Sequence, residues 1–178
     1  MMIIGNPTLI ATYTPSNVTE QAITSGIDST YSSYMFAFTD MYVHTNTSVI
    51  TFQTGSSYNT ATTTAPSVAY MYEDGSSSDF DFEAGIRWSS ATTFVETHRR
   101  MGNASDNCMA GIFILFDPSS TTHDKYFYYN INHTMDLGPA SAQTISQGQI
   151  HTTSAVTQIK FKANSGNISG TIQLYGIT

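Results

Sequence analysis

The sequence predicts an all-β protein, an antiparallel β-sandwich or jelly roll built as a single domain. Three observations carry that prediction. The first is composition. Of 178 residues, 27 are Thr and 22 are Ser, 12% are aromatic and 11% are charged. Thr, Tyr, Phe, Val and Ile suit a pleated, half-buried surface. Disordered chains combine few aromatics with high net charge, which is the opposite pattern. The second is alternation of apolar and polar residues with period two over short runs. The third is the frequency of turn signals, such as Thr54-Gly55-Ser56-Ser57, Glu73-Asp74-Gly75 and Asn164-Ser165-Gly166-Asn167. Helical periodicity is nearly absent.

Taken in order, residues 1–25 read as an N-terminal arm or first strand, ahead of a sandwich domain over 26–178. The first strong strand is Tyr34 to Val43, with Tyr34, Phe36 and Phe38 on one face and Met35, Ala37 and Thr39 on the other. Further strands are expected at 48–54, 67–73, 79–88, 91–99, 111–116, 125–132, 155–162 and 170–177. In the last pair, Ile159 and Phe161 point one way and Lys160 and Lys162 the other, while Ile172 and Leu174 share a face. Such apolar residues so near the C-terminus indicate a last strand paired inside a sheet.

Charge and cysteine usage narrow the function. The net charge is −7 and the pI about 4.9, so an acidic surface repels phosphate backbones and no nucleic-acid partner is expected. No run approaches a membrane span, and the first fifteen residues lack the basic region of an export signal. The one cysteine, Cys108, forms no internal disulfide. It reads as a small buried or half-buried residue.

Few constellations carry chemistry. Asp79, Asp81 and Glu83 alternate with Phe80 and Phe82, which in a strand puts three acids on one face. That suits either calcium, which takes several oxygens, or simply a solvated face over a buried one. The histidines, His44, His98, His123, His133 and His151, lack the spacing of a zinc module. There is no G-x-S-x-G elbow and no phosphate loop. Five N-x-[S/T] sequons, at Asn17, Asn46, Asn103, Asn132 and Asn167, are a small excess over what the Ser and Thr content gives by chance. Without an export signal they imply no glycosylation. The expectation is a protein that is not an enzyme and needs no metal or cofactor.

The stretch "GIFILFDPSSTTHDKYFYYNINH", Gly111 to His133, reads as a hairpin. Its aromatic run sends Tyr126 and Tyr128 to one side and Phe127 and Tyr129 to the other. One side is core. The other is either a subunit interface, where Tyr is enriched, or a platform on which sugar rings stack, an option shared with Trp88.

Three stretches, "ITSGIDSTYSSYMFAFTDMYVHT", this hairpin and "SAVTQIKFKANSGNISGTIQLYGI", also resemble a family of small virion structural proteins of tailed phages, notably those of marine bacteria. The resemblance spans most of the chain and brings no catalytic residue with it. It implies a particle component, made in the host bacterial cytoplasm and located in the virion. The expected function is that of a capsid decoration protein, a homotrimer that binds the major capsid protein lattice. Met1, Met2, Ile3 and Ile4 are candidates for a capsid-contacting arm, and Tyr126 and Tyr128 for an interface. The alternative is a tail-fibre or receptor-binding domain that recognises a host glycan.

Overall fold

The computed structural model describes residues 6–72, 75–82, 92–97, 99–136 and 140–178. Twelve strands and no helix are found among them, and two antiparallel sheets pack as a sandwich. The centre of the large sheet is β3 (Ser33–Val43), β8 (Met109–Phe116), β9 (Lys125–Thr134) and β10 (Ala140–Ile150), side by side. On one flank lie β12 (Ile168–Ile177) and the edge strand β1 (Thr8–Tyr13). On the other lie β5 (Thr62–Tyr72) and the edge strand β6 (Ser78–Phe82). The small sheet runs β2 (Glu20–Ile23), β11 (Ile159–Ala163), β4 (Ile50–Thr54), β7 (Val95–Glu96).

The sheets meet through rings. Phe113 of β8 and Phe127 and Tyr129 of β9 lie nearly parallel, at interplanar angles of 9° and 6° for successive pairs. Phe52 of β4 stands edge-on to Phe113 and Phe127, at 4.8 and 5.1 Å. Phe161 of β11 does the same to Phe36 and Phe38 of β3, at 5.6 and 5.2 Å. Such edge contacts satisfy the ring quadrupoles and add to the free energy of burial. The alternation expected in the sequence is what delivers these rings to one side.

The hairpin of β8 and β9 forms as expected, with Phe113 opposite Tyr129 and Ile114 opposite Tyr128. The C-terminal strand is paired on both flanks, between β1 and β3. The inward Ile159 and Phe161 and the inward Ile172 and Leu174 are all buried, but their strands lie in different sheets, so the 164–167 turn carries the chain across the sandwich.

Other elements differ from expectation. β1 and β2 occupy the region read as an arm or a single first strand. β5 begins five residues earlier than 67, at Thr62. Pro66 lies opposite Ser146 of β10 and just outside the described ladder of β5 with β6, which begins at Ser67, a position at the margin of pairing where a missing donor is tolerated. The run at 91–99 shortens to Val95–Glu96. The central strand β10 falls where no strand is expected. Its inward positions before Ile150 are small: Ala140, Ala142, Thr144 and Ser146 are buried, and a Cβ on Gly148 would overlap the Phe127 ring. Large residues on β9 thus meet small ones on β10.

Candidate functional site

The outer face of the large sheet is the most distinctive surface of the molecule. Residues opposite one another in register share a face. One row therefore crosses the sheet as Tyr175, Met35, Ile114, Tyr128, Gln147 and Ala65. Leu9 of β1 joins it beside Tyr175. The next row toward one end holds Ser33, Phe116, Tyr126, Gln149 and Thr63. The next toward the other holds Ala37, Ile112, Asn130, Ile145 and Ser67. Beyond that come Ala110, Asn132, Gln143, Ala69 and Phe80. None of these residues is Asp, Glu, Lys or Arg. The chain as a whole is 11% charged.

The face is also where apolar surface is left open. Of the five exposed large apolar side chains among the described residues, four stand on or beside these rows: Leu9 (50% exposed), Met71 (58%), Phe80 (66%) and Tyr126 (57%); the fifth, Tyr42, lies on the same side of β3 beyond its bulge. Met71 lies opposite Ser78 and Ser141, on the same side as Phe80. Ile114, although outward, is buried, with Met35 and Tyr128 as its register neighbours. Phe80 was expected over the core, beneath a solvated row of acids. The register instead puts it opposite Ala69 on the outer face.

Toward one end the face dips into a concavity of ≈ 570 Å³, bordered by Tyr126, Tyr128, Gln147, Gln149, Thr63 and Ala65. Its cause is local. Ala65 is small, and among the described residues the pairing of β5 with β6 ends at Ser67 and Phe82. The sequence thus identifies Tyr126 and Tyr128 correctly as the outward pair, with Phe127 and Tyr129 in the core. It misses the amides of Gln147 and Gln149, which lie on the unexpected strand. Met1, Met2, Ile3 and Ile4 lie outside the described residues, as do Glu83, Trp88 and His98.

Beside the concavity, Thr63 Oγ1 lies 2.6 Å from His151 Nε2, and His151 Nδ1 lies 3.7 Å from Asp124 Oδ2. Hydroxyl, imidazole and carboxylate in series are the parts of a nucleophilic triad. Here the imidazole–carboxylate distance exceeds a hydrogen bond, and Gln149 Nε2 donates to the same Asp124 oxygen at 2.7 Å. The series ties together the ends of β5, β9 and β10. His44 bonds Ser169 through Nε2 at 2.8 Å, and His133 is buried at the inner side of β9. Asp79 Oδ1 accepts from the Phe80 amide at 2.8 Å. No cluster of three His, Cys, Asp or Glu able to hold a metal occurs among the described residues.

Two polar side chains of β9 are buried on its inner side. Lys125 is 1% exposed, and its ammonium donates to the carbonyls of His123 at 2.7 Å and Thr152 at 3.0 Å. Burial pulls its pKa below the ordinary lysine value, with Asp117 and Asp124 acting the other way. Tyr129 is fully buried and its phenol is held well above the usual range by desolvation. Cys108 is half-buried. Burial and the charge of Asp40 raise its thiol pKa, the reverse of what activates a nucleophile.

No protein-family model matches the chain, and no curated protein matches its sequence. A solved structure from Bacteroides ovatus, of unknown function, aligns over 65% of this chain and 45% of its own length, at 8% identity and a TM-score of 0.30. The chain therefore spans less than half of that protein, and a likeness so slight carries no argument. No helix among the described residues is long and apolar enough to cross a membrane.

Proposed function

We propose that this protein is a non-enzymatic structural component of a tailed-phage virion, and specifically a capsid decoration protein. It acts by covering protein surface. Its partners are the major capsid protein lattice and further copies of itself, met in the virion after synthesis in the host bacterial cytoplasm. A protein that binds the expanded shell and not its precursor stabilises that shell by mass action. The observation that carries this reading is the outer face of the large sheet, where uncharged rows and four exposed large apolar side chains coincide. Exposed apolar surface on an uncharged face favours protein–protein contact. The resemblance of the three stretches to phage structural proteins supports the same reading.

The test is addition of purified protein to expanded, undecorated shells. Bound copies should rise in proportion to the major capsid protein, and the shells should disrupt at a higher temperature. A handful of copies per particle, tracking the tail, would count against decoration. Deletion of residues 1–8 asks separately whether the N-terminal segment makes the contact.

A second reading is favoured by the concavity. Two tyrosines, two glutamines and a threonine around a neutral hollow suit the apolar face and hydroxyl rim of a sugar ring. In that reading the protein is a tail-fibre or receptor-binding domain. Micromolar binding to a glycan array, lost in Tyr126→Ala, would support it.

A further inference from the structure

We propose that the outer face of the large sheet is a two-fold contact between two copies of this chain. The proposal rests on the reading of the protein as an assembly component, and it commits this face to one of the two partners named there. Three physical arguments favour a second copy over the lattice.

The first is charge. Each copy carries −7, so two copies repel wherever their acids face one another. A lattice partner of complementary charge is best met by a charged surface, whereas a partner of the same sign requires a neutral one. The rows of this face supply that neutral surface, with no acid and no base among their described residues; Asp124, bonded to Gln149, and the exposed Asp40 of β3 stand at its margin.

The second is self-complementarity. In a two-fold contact the same surface must fit itself. A carboxylate or an ammonium cannot hydrogen-bond to its own copy, but an amide both donates and accepts. Gln143, Gln147 and Gln149 project from one side of β10, and Asn130 and Asn132 from the same side of the neighbouring β9; Gln143 donates to Asn130 at 3.0 Å and Gln149 to Asp124 at 2.7 Å, so part of this capacity is used within the chain and the rest is left for a partner. Around them are Met71, Phe80, Tyr126 and Tyr128. Interfaces concentrate Tyr, Phe and Met and exclude Lys, Glu and Asp.

The third is area. Eight strands lie in the sheet. At ~4.8 Å between strands and ~3.4 Å per residue, with about eight residues each, they make a face of roughly 1,000 Å². A stable pair needs about 800 Å² from each partner. A two-fold pair takes the place of the trimer expected from the sequence.

The experiment measures the mass of the intact, full-length chain in solution by light scattering at micromolar concentration. The expected mass is twice 19.4 kDa. The double variant Phe80→Glu/Tyr126→Glu changes two exposed side chains, so its circular dichroism and melting should match a dilute wild-type sample. Its mass should be that of a single chain, with association at least ~100-fold weaker. Gln147→Glu, a near-isosteric change, should weaken the pair in the same direction. A wild-type single chain, a trimer, or a pair that survives the double variant would overturn the proposal. So would a monomeric wild type that binds a neutral oligosaccharide in the concavity. Shell binding separates the two claims. A single chain that still decorates shells defeats the pair alone, and a pair that ignores shells defeats the functional reading alone.

Discussion

On the outer face of the small sheet, Lys160 and Lys162 of β11 stand in register with Gln53 and Thr51 of β4. On the outer face of the large sheet, the central row holds Tyr128, Ile114 and Met35. The small sheet's face is closed by the chain itself. The Tyr58 ring lies 4.1 Å from the Lys160 ammonium and the Phe94 ring 4.5 Å from that of Lys162. Glu20 pairs with Lys160 at 2.8 Å. Gln53, fully buried, donates to the Thr93 carbonyl at 2.9 Å. The large sheet's face leaves Met71, Phe80 and Tyr126 open. The difference teaches which face has more to gain from being covered. A surface already satisfied by its own loops gains little from a partner, whereas an uncharged apolar one gains the free energy of burial.

Substitutions can sharpen or break that contrast, and the largest effect belongs inside. Phe113 and Ile114 are adjacent, point to opposite faces and are both buried. Phe113→Ala should lower unfolding free energy by about 3–5 kcal/mol, and Ile114→Ala by about 2–4 kcal/mol. In chemical denaturation the first loss should not vary with protein concentration, while the second should grow where the face is covered. Gly148→Ala comes next. Its Cβ would overlap the Phe127 ring and the Thr63 carbonyl, so overpacking should cost about 1–3 kcal/mol. Lys160→Met should cost about 0.5–1.5 kcal/mol through the lost ring contact and ion pair, with the ion-pair part fading in high salt. The smallest is Asp28→Asn. Hydrogen bonds from Thr30 and Tyr34 hold the Asp28 carboxyl below 3.8. A lowered folded pKa means a stabilising contribution present above 3.8 and lost as pH falls through the folded value. Melting temperatures of wild type and variant should therefore converge on acidification.

Much of the sandwich was legible because ring-bearing strands alternate plainly. Tyr34, Phe36 and Phe38 are all buried, as period two requires. So are Phe127 and Tyr129, with Tyr126 exposed between strand and solvent. What escaped notice escaped for physical reasons. β10 fills the space beneath its neighbours' rings with Ala, Thr, Ser and Gly, and Ile150 at its end is the one large apolar residue on its inward face, so the apolar signal is weak. Its alternation is of small against amide residues: Ala142, Thr144 and Ser146 inward, Gln143 and Gln147 outward. The outer face was half legible. Tyr126 and Tyr128 announced it, but its breadth arises from register across β12, β3, β8, β9, β10 and β5, and register between distant strands leaves no local trace in a sequence. Phe80 misled for the same reason, since alternation fixes which residues share a face and not which face is covered.

Hydroxyl-radical footprinting of the assembled protein against dilute single chains tests the central contrast most directly, because Met, Tyr and Phe side chains report oxidation residue by residue. Assembly, in solution or on shells, should strongly reduce labelling of Met71, Phe80 and Tyr126 and leave Tyr58 and Phe94 unchanged. Protection of Tyr58 and Phe94, with Met71, Phe80 and Tyr126 as reactive as before, would contradict the account.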